Sequence, residues 1–210
     1  MEESRPVNSV LLRGVLHEPP AFSHESRGEA FYRFSLDIAR LSGAIDTVNV
    51  LAKRQLLEHI SPDGEEKLCV VGELRSFNNK SGVGPRLVIS VYARELRLGE
   101  GEDENTVELT GSLCKAPNLR VTPMGREICD MMLAVNRRYG RSDYLPCIAW
   151  GVRAREASDW GVGTGIHITG RLQSRTYTKL VNGEPQDKVA FEVSVISAER
   201  TESPGSGSER

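Results

Sequence analysis

Residues 137–150 read "RRYGRSDYLPCIAW". The chain has only two Trp and five Tyr in 210 residues, yet Tyr139, Tyr144 and Trp150 all fall here, threaded with Arg137, Arg138 and Arg141. Exposed rings offer flat π faces for planar partners, and guanidinium groups pair with anions. A second stretch repeats the combination: "HITGRLQSRTYTK" at 167–179 sets Tyr177 between Arg175 and Lys179. The competing reading is structural, in which the rings are ordinary core aromatics behind a solvated loop.

Strand periodicity separates the two readings, because every second side chain of a strand shares a face. Over 144–150, Tyr144, Pro146, Ile148 and Trp150 point one way and Leu145, Cys147 and Ala149 the other. The second group is small and apolar, as a core requires. Over 167–179 the odd positions are His167, Thr169, Arg171, Gln173, Arg175, Tyr177 and Lys179. A face with three cations belongs in water, so Tyr177 is expected to be an exposed ring in a basic stripe. Rings and cations on an open sheet suit sequence-tolerant binding of a single strand, bases stacking on the rings and phosphates meeting Arg and Lys.

These strands belong to an internal repeat. "NSVLLRGVLHEPP" at 8–20 aligns with "NTVELTGSLCKAP" at 105–117 at an offset of 97. The same offset joins Arg40 to Arg137, Gly43 to Gly140, Asp46 to Asp143 and Ala52 to Ala149. After one further residue of gap, "VVGELRS" at 70–76 meets "ITGRLQS" at 168–174. A period this long means two domains and not a solenoid. The expected bounds are 6–98 and 105–200, joined by an acidic linker at 99–104 and followed by a disordered tail at 201–210. Each copy carries short β-rich runs separated by Gly, Pro and Asn clusters. One helical stretch follows the third strand, "RAREASDWG" at 153–161, with "RQLLEHISP" at 54–62 as its counterpart. Five strands with a helix after the third is the layout of the OB-fold. The expected class is therefore all-β, two tandem five-stranded Greek-key barrels.

Composition narrows the function further. The chain is 39% apolar and 27% charged, the balance of a folded protein, and no apolar run approaches the ~18 residues of a membrane helix. No basic and apolar leader opens the chain, so a cytoplasmic location is expected. Cys69, Cys114, Cys129 and Cys147 form no CxxC, and the four His show no ligand spacing, so neither a metal nor another cofactor is expected. Asp130 and Asp143 have no partner at catalytic spacing, and no nucleophile motif or P-loop occurs, which points away from an enzyme. The net charge of −2 hides an uneven distribution: residues 105–200 hold 13 Lys/Arg against 10 Asp/Glu. A basic groove on one face is compatible with that total. Trp160, ahead of a Gly-rich turn, is read as packing, and His167 as a surface residue.

Residues 105–199 resemble the bacterial single-stranded DNA-binding protein family. The resemblance is carried by "NTVELTGSL", "PNLRVTPMG", "LAVNRR", "DYLPCIAWG" and "GRLQSRTY", in order and with matching gaps. It implies sequence-independent binding of single-stranded DNA in replication, recombination or repair. It also implies four base-stacking positions, which fall here on Tyr139, Tyr144, Trp150 and Tyr177, with phosphate contacts from Arg137, Arg138, Arg141, Arg171, Arg175 and Lys179. The first copy departs: Ser42, Thr47, Lys53 and Asn79 occupy the four places. It keeps Arg40, Lys53, Arg54, Arg75 and Lys80 as candidate phosphate ligands, and Phe77 as one candidate ring on the face of Arg75. Two-barrel family members pair as dimers, so a homodimer of four barrels is implied, from a bacterium, phage or plasmid. The family's acidic tail tip, which recruits replication and repair proteins, has no match in "TESPGSGSER". Two other readings stay open: a primosome or protein-interaction scaffold, and an RNA- or tRNA-binding OB protein.

Overall fold

The computed structural model describes residues 7–58, 67–79, 86–137, 140–181 and 184–201, the side chains at 177, 179–181 and 186–188 excepted. The N-terminal copy contains β1 (Asn8–Leu16), β2 (Ala21–Ser26), β3 (Glu29–Ala39), β4 (Ile45–Lys53), β5 (Lys67–Asn78) and β6 (Leu87–Leu98). Their spatial order is β2-β3-β4-β6-β5-β1, and a β1–β3 pairing closes the barrel. The C-terminal copy contains β7 (Glu104–Leu113), β8 (Asn118–Val121), β9 (Glu127–Asn136), β10 (Ser142–Trp150), the helix α1 (Val152–Ser158), β11 (Gly165–Val181) and β12 (Glu184–Arg200). Its order is β8-β9-β10-β12-β11-β7, closed by β7–β9. The two topologies are the same, and so are the registers. Val15 faces Asp37 in the first closure and Ser112 faces Ala134 in the second, both pairs 97 residues apart. One parallel pairing recurs in each, at Val50 with Val91 and at Cys147 with Val193. Both copies are OB-folds.

The sequence dictates these barrels through alternation. In β1, Val10, Leu12 and Leu16 are buried, and in β7 their counterparts Val107, Leu109 and Leu113 are buried. Between them sit Gly14 and Gly111. A Cβ at Gly14 would lie 2.4 Å from the Asp37 carbonyl oxygen, and one at Gly111 would lie 2.4 Å from that of Ala134. Only glycine permits the first strand to press against the third and close the barrel.

Three features go beyond the sequence expectation. Each copy has a short sixth strand, β2 or β8, added outside the five at the edge of β3 or β9. The expected helix at 54–62 begins as a single 3-10 turn at Arg54–Leu57 with no buried residue. By contrast α1 buries Ala154 and Ala157, one turn apart, and is a true α-helix. The acidic linker is tied down: the Asp103 carboxylate accepts the Ala39 N–H at 2.7 Å and pairs with Lys67 at 2.7 Å. Arg13 adds a hydrogen bond to the Glu102 carbonyl and an ion pair to Glu104. The contacts of the chain divide it into two compact units. One is Ser9–Val107 with Arg171–Glu192; the other is Met1–Asn8, Glu108–Gly170 and Val193–Arg210.

Candidate nucleic-acid interface

The clearest part of the site is β10. Leu145, Cys147 and Ala149 are buried at 0–2% exposure, while Tyr144 is 50% and Trp150 37% exposed. Two rings therefore stand on the outer face at opposite ends of one strand, about 20 Å apart at the usual rise per residue. Ile148 breaks the alternation. It shares their phase but is only 2% exposed.

The loop before β10 is anchored from its base. Arg137 forks onto Asp143, donating from Nε to Oδ2 at 2.5 Å and from a terminal nitrogen to Oδ1. Asp143 is completely buried, on the core phase of β10. The Arg137 N–H also donates to the Arg141 carbonyl at 2.7 Å. The first copy builds the same device. Arg40 forks onto Asp46, with Nε to Oδ2 at 2.7 Å, and the Arg40 N–H donates to the Ala44 carbonyl at 2.8 Å. Asp46 is 1% exposed. Hydrogen bonding to Asp46 raises the pKa of Arg40 further. Arg40 and Arg137 were expected to meet phosphate. Their guanidinium groups instead satisfy buried carboxylates, and the sequence signal for this was their shared spacing of six residues to an Asp in both repeats.

The other expected cations differ in setting. Arg141 and Arg54 are exposed. Lys53 pairs with Glu29, which raises its pKa through their hydrogen bond. Arg75 pairs with Glu73, which also takes Arg94 at 3.1 Å. Arg175 is exposed, with its Nε 3.8 Å from Glu192. Gln173, expected on the wet face of β11, is instead 8% exposed, its amide donating to Glu192 at 3.0 Å. Two neighbouring acceptor and donor groups explain its burial. Arg171 is half-buried: its Nε lies 4.0 Å from Asp46 with no hydrogen-bond partner among the described residues, while a terminal nitrogen donates to Gln173 Oε1 at 3.5 Å. Burial and the nearby Arg40 charge lower its pKa. Phe77 is 44% exposed near the end of β5. Arg138, Tyr139 and Lys80, and the side chains of Tyr177 and Lys179, lie outside the described residues.

An open groove of about 540 Å³ in the N-terminal copy was not anticipated. Arg33, Asn49 and Leu51 line it together with Phe77. Their signal in the sequence is the wet phase of β3 and β4, where Asn49 falls at the repeat position of Pro146 and Arg33 at that of Asp130. Among the described residues no cluster of His, Cys, Asp or Glu could hold a metal ion.

Comparison with known proteins places the C-terminal copy. The Single-strand binding protein family matches residues 104–200. A single-stranded DNA-binding protein of Clostridium tetani is 36% identical over 80 residues, which are 35% of this chain and 55% of that protein. One from Halalkalibacterium halodurans is 31% identical over 112 residues, 50% of this chain and 65% of that protein. The chain thus spans between about half and two thirds of the length of these relatives. The crystallised single-stranded DNA binding protein of Thermus aquaticus superposes with a TM-score of 0.77 at 25% identity, covering 98% of each chain. Motifs and topology agree with the family match, in which residues 104–200, a little under half of the chain, are similar to the Single-strand binding protein family.

Proposed function

We propose that the chain binds single-stranded DNA with little regard to sequence and protects it in replication, recombination or repair. The observation that carries this reading is the pair of exposed rings, Tyr144 and Trp150, on one face of β10 with the barrel core behind it. A strand laid along that face can stack on both, and stacking tolerates any base because every base has a π face. Tyr139 and Tyr177 extend the set by sequence. Arg138, Arg141, Arg171, Arg175 and Lys179 supply phosphate contacts, and Arg137 positions the loop that presents its neighbours. The relatives named above carry the same activity in their names, which supports the assignment.

The C-terminal copy, 105–200, is the main binding domain in this reading. The N-terminal copy, 6–98, contributes through Phe77, Arg54 and Lys80, with Lys53 and Arg75 held by Glu29 and Glu73, and no chemical step is assigned to either. The functional unit is a homodimer of four barrels, as symmetric closure of a two-barrel chain favours, acting in the cytoplasm. Light scattering should then give twice the 23.2 kDa chain mass. The deciding experiment is a fluorescence titration with oligo(dT), the matching duplex and an RNA equivalent. Strong tryptophan quenching by oligo(dT) alone supports the reading. Equal quenching by the duplex, or none with any probe, sinks it, and a preference for RNA selects the RNA-binding alternative.

A further inference from the structure

Each copy carries one outermost strand, and the two carry opposite charge. Strand β2 pairs with β3 alone and β8 with β9 alone, so each leaves an edge without a neighbour among the described residues. A free edge presents unpaired N–H and C=O groups and accepts another strand. All six residues of β2 are exposed, as are three of the four of β8. Both edges also hold apolar side chains in water. Phe22 is 58% exposed, and Val121 and Met124 are 62% and 82% exposed, with Leu119 on the same hairpin.

The repeat aligns these edges residue by residue and reverses their charge. Residues 18–29 contain Glu18, Glu25 and Glu29 against Arg27. The equivalent segment, 115–126, contains Lys115, Arg120 and Arg126 and no acid. Glu18 and Lys115 occupy the same repeat position, as do Glu29 and Arg126. Glu18, Glu25, Lys115 and Arg126 are all exposed. The charges select among the pairings open to two copies. Like edges repel, since β2 against β2 sets acids against acids, and β8 against β8 sets bases against bases. Unlike edges attract. In that pairing one register sets Phe22 across from Leu119, within reach of Val121 two residues on.

We propose that β2 of one chain pairs with β8 of a second copy, joining molecules head to tail through oppositely charged sheet edges. Such a contact is heterologous and repeats from molecule to molecule. Strands of six and four residues bury much less than the ~1,200 Å² of a stable interface. The contact is therefore a weak link between the proposed dimers and does not make the dimer itself. It goes beyond the single-strand reading and stands apart from it, because its measurements contain no nucleic acid.

Sedimentation velocity on the full-length chain at low salt, over a concentration series, tests it against two charge-reversed variants. Glu18→Lys with Glu25→Lys makes both edges basic, and Lys115→Glu with Arg126→Glu makes both acidic. The parent should grow beyond its limiting species as concentration rises. Each variant alone should associate at least about tenfold more weakly. An equimolar mixture of the two variants should associate again, because every basic edge finds an acidic one. A merely structural effect of the substitutions would give no such rescue. All four side chains are exposed, so melting temperatures should hold. Hydrogen exchange in the concentrated parent gives the location: amides of β2 and β8 should gain protection together. Growth without protection at these edges, variants that associate like the parent, or a mixture that stays apart overturns the proposal. So does a parent of one mass at every concentration.

Discussion

Tyr144 and Trp150 are half or more than a third open to solvent, and each sits opposite a buried neighbour on the same strand. Replacing either by Ala removes a stacking platform and leaves the core untouched. Each variant should lose about 1–3 kcal/mol of single-strand affinity, roughly one to two decades, with an unchanged melting temperature. Quenching titrations on Tyr144→Ala, and anisotropy with labelled oligo(dT) on Trp150→Ala, measure this. Loss of the fold in Trp150→Ala with affinity intact per folded molecule would make Trp150 a core residue. The Arg137–Asp143 fork predicts the opposite pattern. Asp143 is wholly buried, so Arg137→Ala strands a carboxylate in the core, a change that costs about 3–5 kcal/mol of stability. Denaturant melts should show that loss. A large fall in affinity at unchanged stability would instead return Arg137 to the phosphate ligands.

At the scale of elements, the acidic linker yields a pH prediction. Burial pushes the Asp103 carboxyl up, but hydrogen bonds from Lys67 and the Ala39 N–H, with the Lys67 charge, outweigh it and hold it below the usual carboxylate range. A carboxylate depressed in the folded state stabilises it fully above its unfolded pKa, and that contribution fades as pH falls through the folded value. Asp103→Asn should therefore cost about 1–2 kcal/mol at neutral pH. The gap from the parent should close below about pH 3.9, and urea melts at both extremes test it. This linker was not legible as a docked element. A run of acids reads as solvated, and its partners Arg13, Ala39 and Lys67 lie far away in sequence. The barrel strands were legible because β1, β4, β7 and β10 each bury one face, and the repeat doubled the signal. Strand β2 was not, since all six of its residues are exposed and leave no alternation to read. Arg54–Leu57 is a 3-10 turn for a related reason: it buries nothing, and a helix this short draws its stability from burial; residues 59–62 of the expected stretch lie outside the described residues. Within the site, the Tyr144 and Trp150 face was readable from period-two alternation. The burial of Gln173 was not, because it depends on Glu192 across the β11–β12 hairpin.

For the whole molecule, net charge decides little and the state of each cation decides much. The chain carries −2 overall, so attraction to a polyanion must come from the cations left available on its surface. Binding releases counterions, and log K falls with log salt by about 0.7 per single-strand phosphate neutralised. If all eleven candidate cations met phosphate, the slope would approach about −8 per chain. Four of that set are held by close carboxylates, and the expected slope leaves them out. Arg40 and Arg137 are forked onto buried carboxylates, and Lys53 and Arg75 are paired with Glu29 and Glu73. The other seven, among which Arg171 and Arg175 make only the longer ion pairs of 4.0 Å to Asp46 and 3.8 Å to Glu192, give an expected slope of about −5. Titrations with a fixed oligo(dT) across a range of monovalent salt measure it directly. Arg141→Ala and Arg175→Ala should each lower the steepness by about 0.7, while Glu73→Gln, which frees Arg75 and Arg94, should raise it. A slope near −8 would mean that the Arg forks open on binding and their guanidinium groups turn to phosphate. Indifference to salt would remove phosphate from the interface altogether and leave stacking to account for all of the affinity.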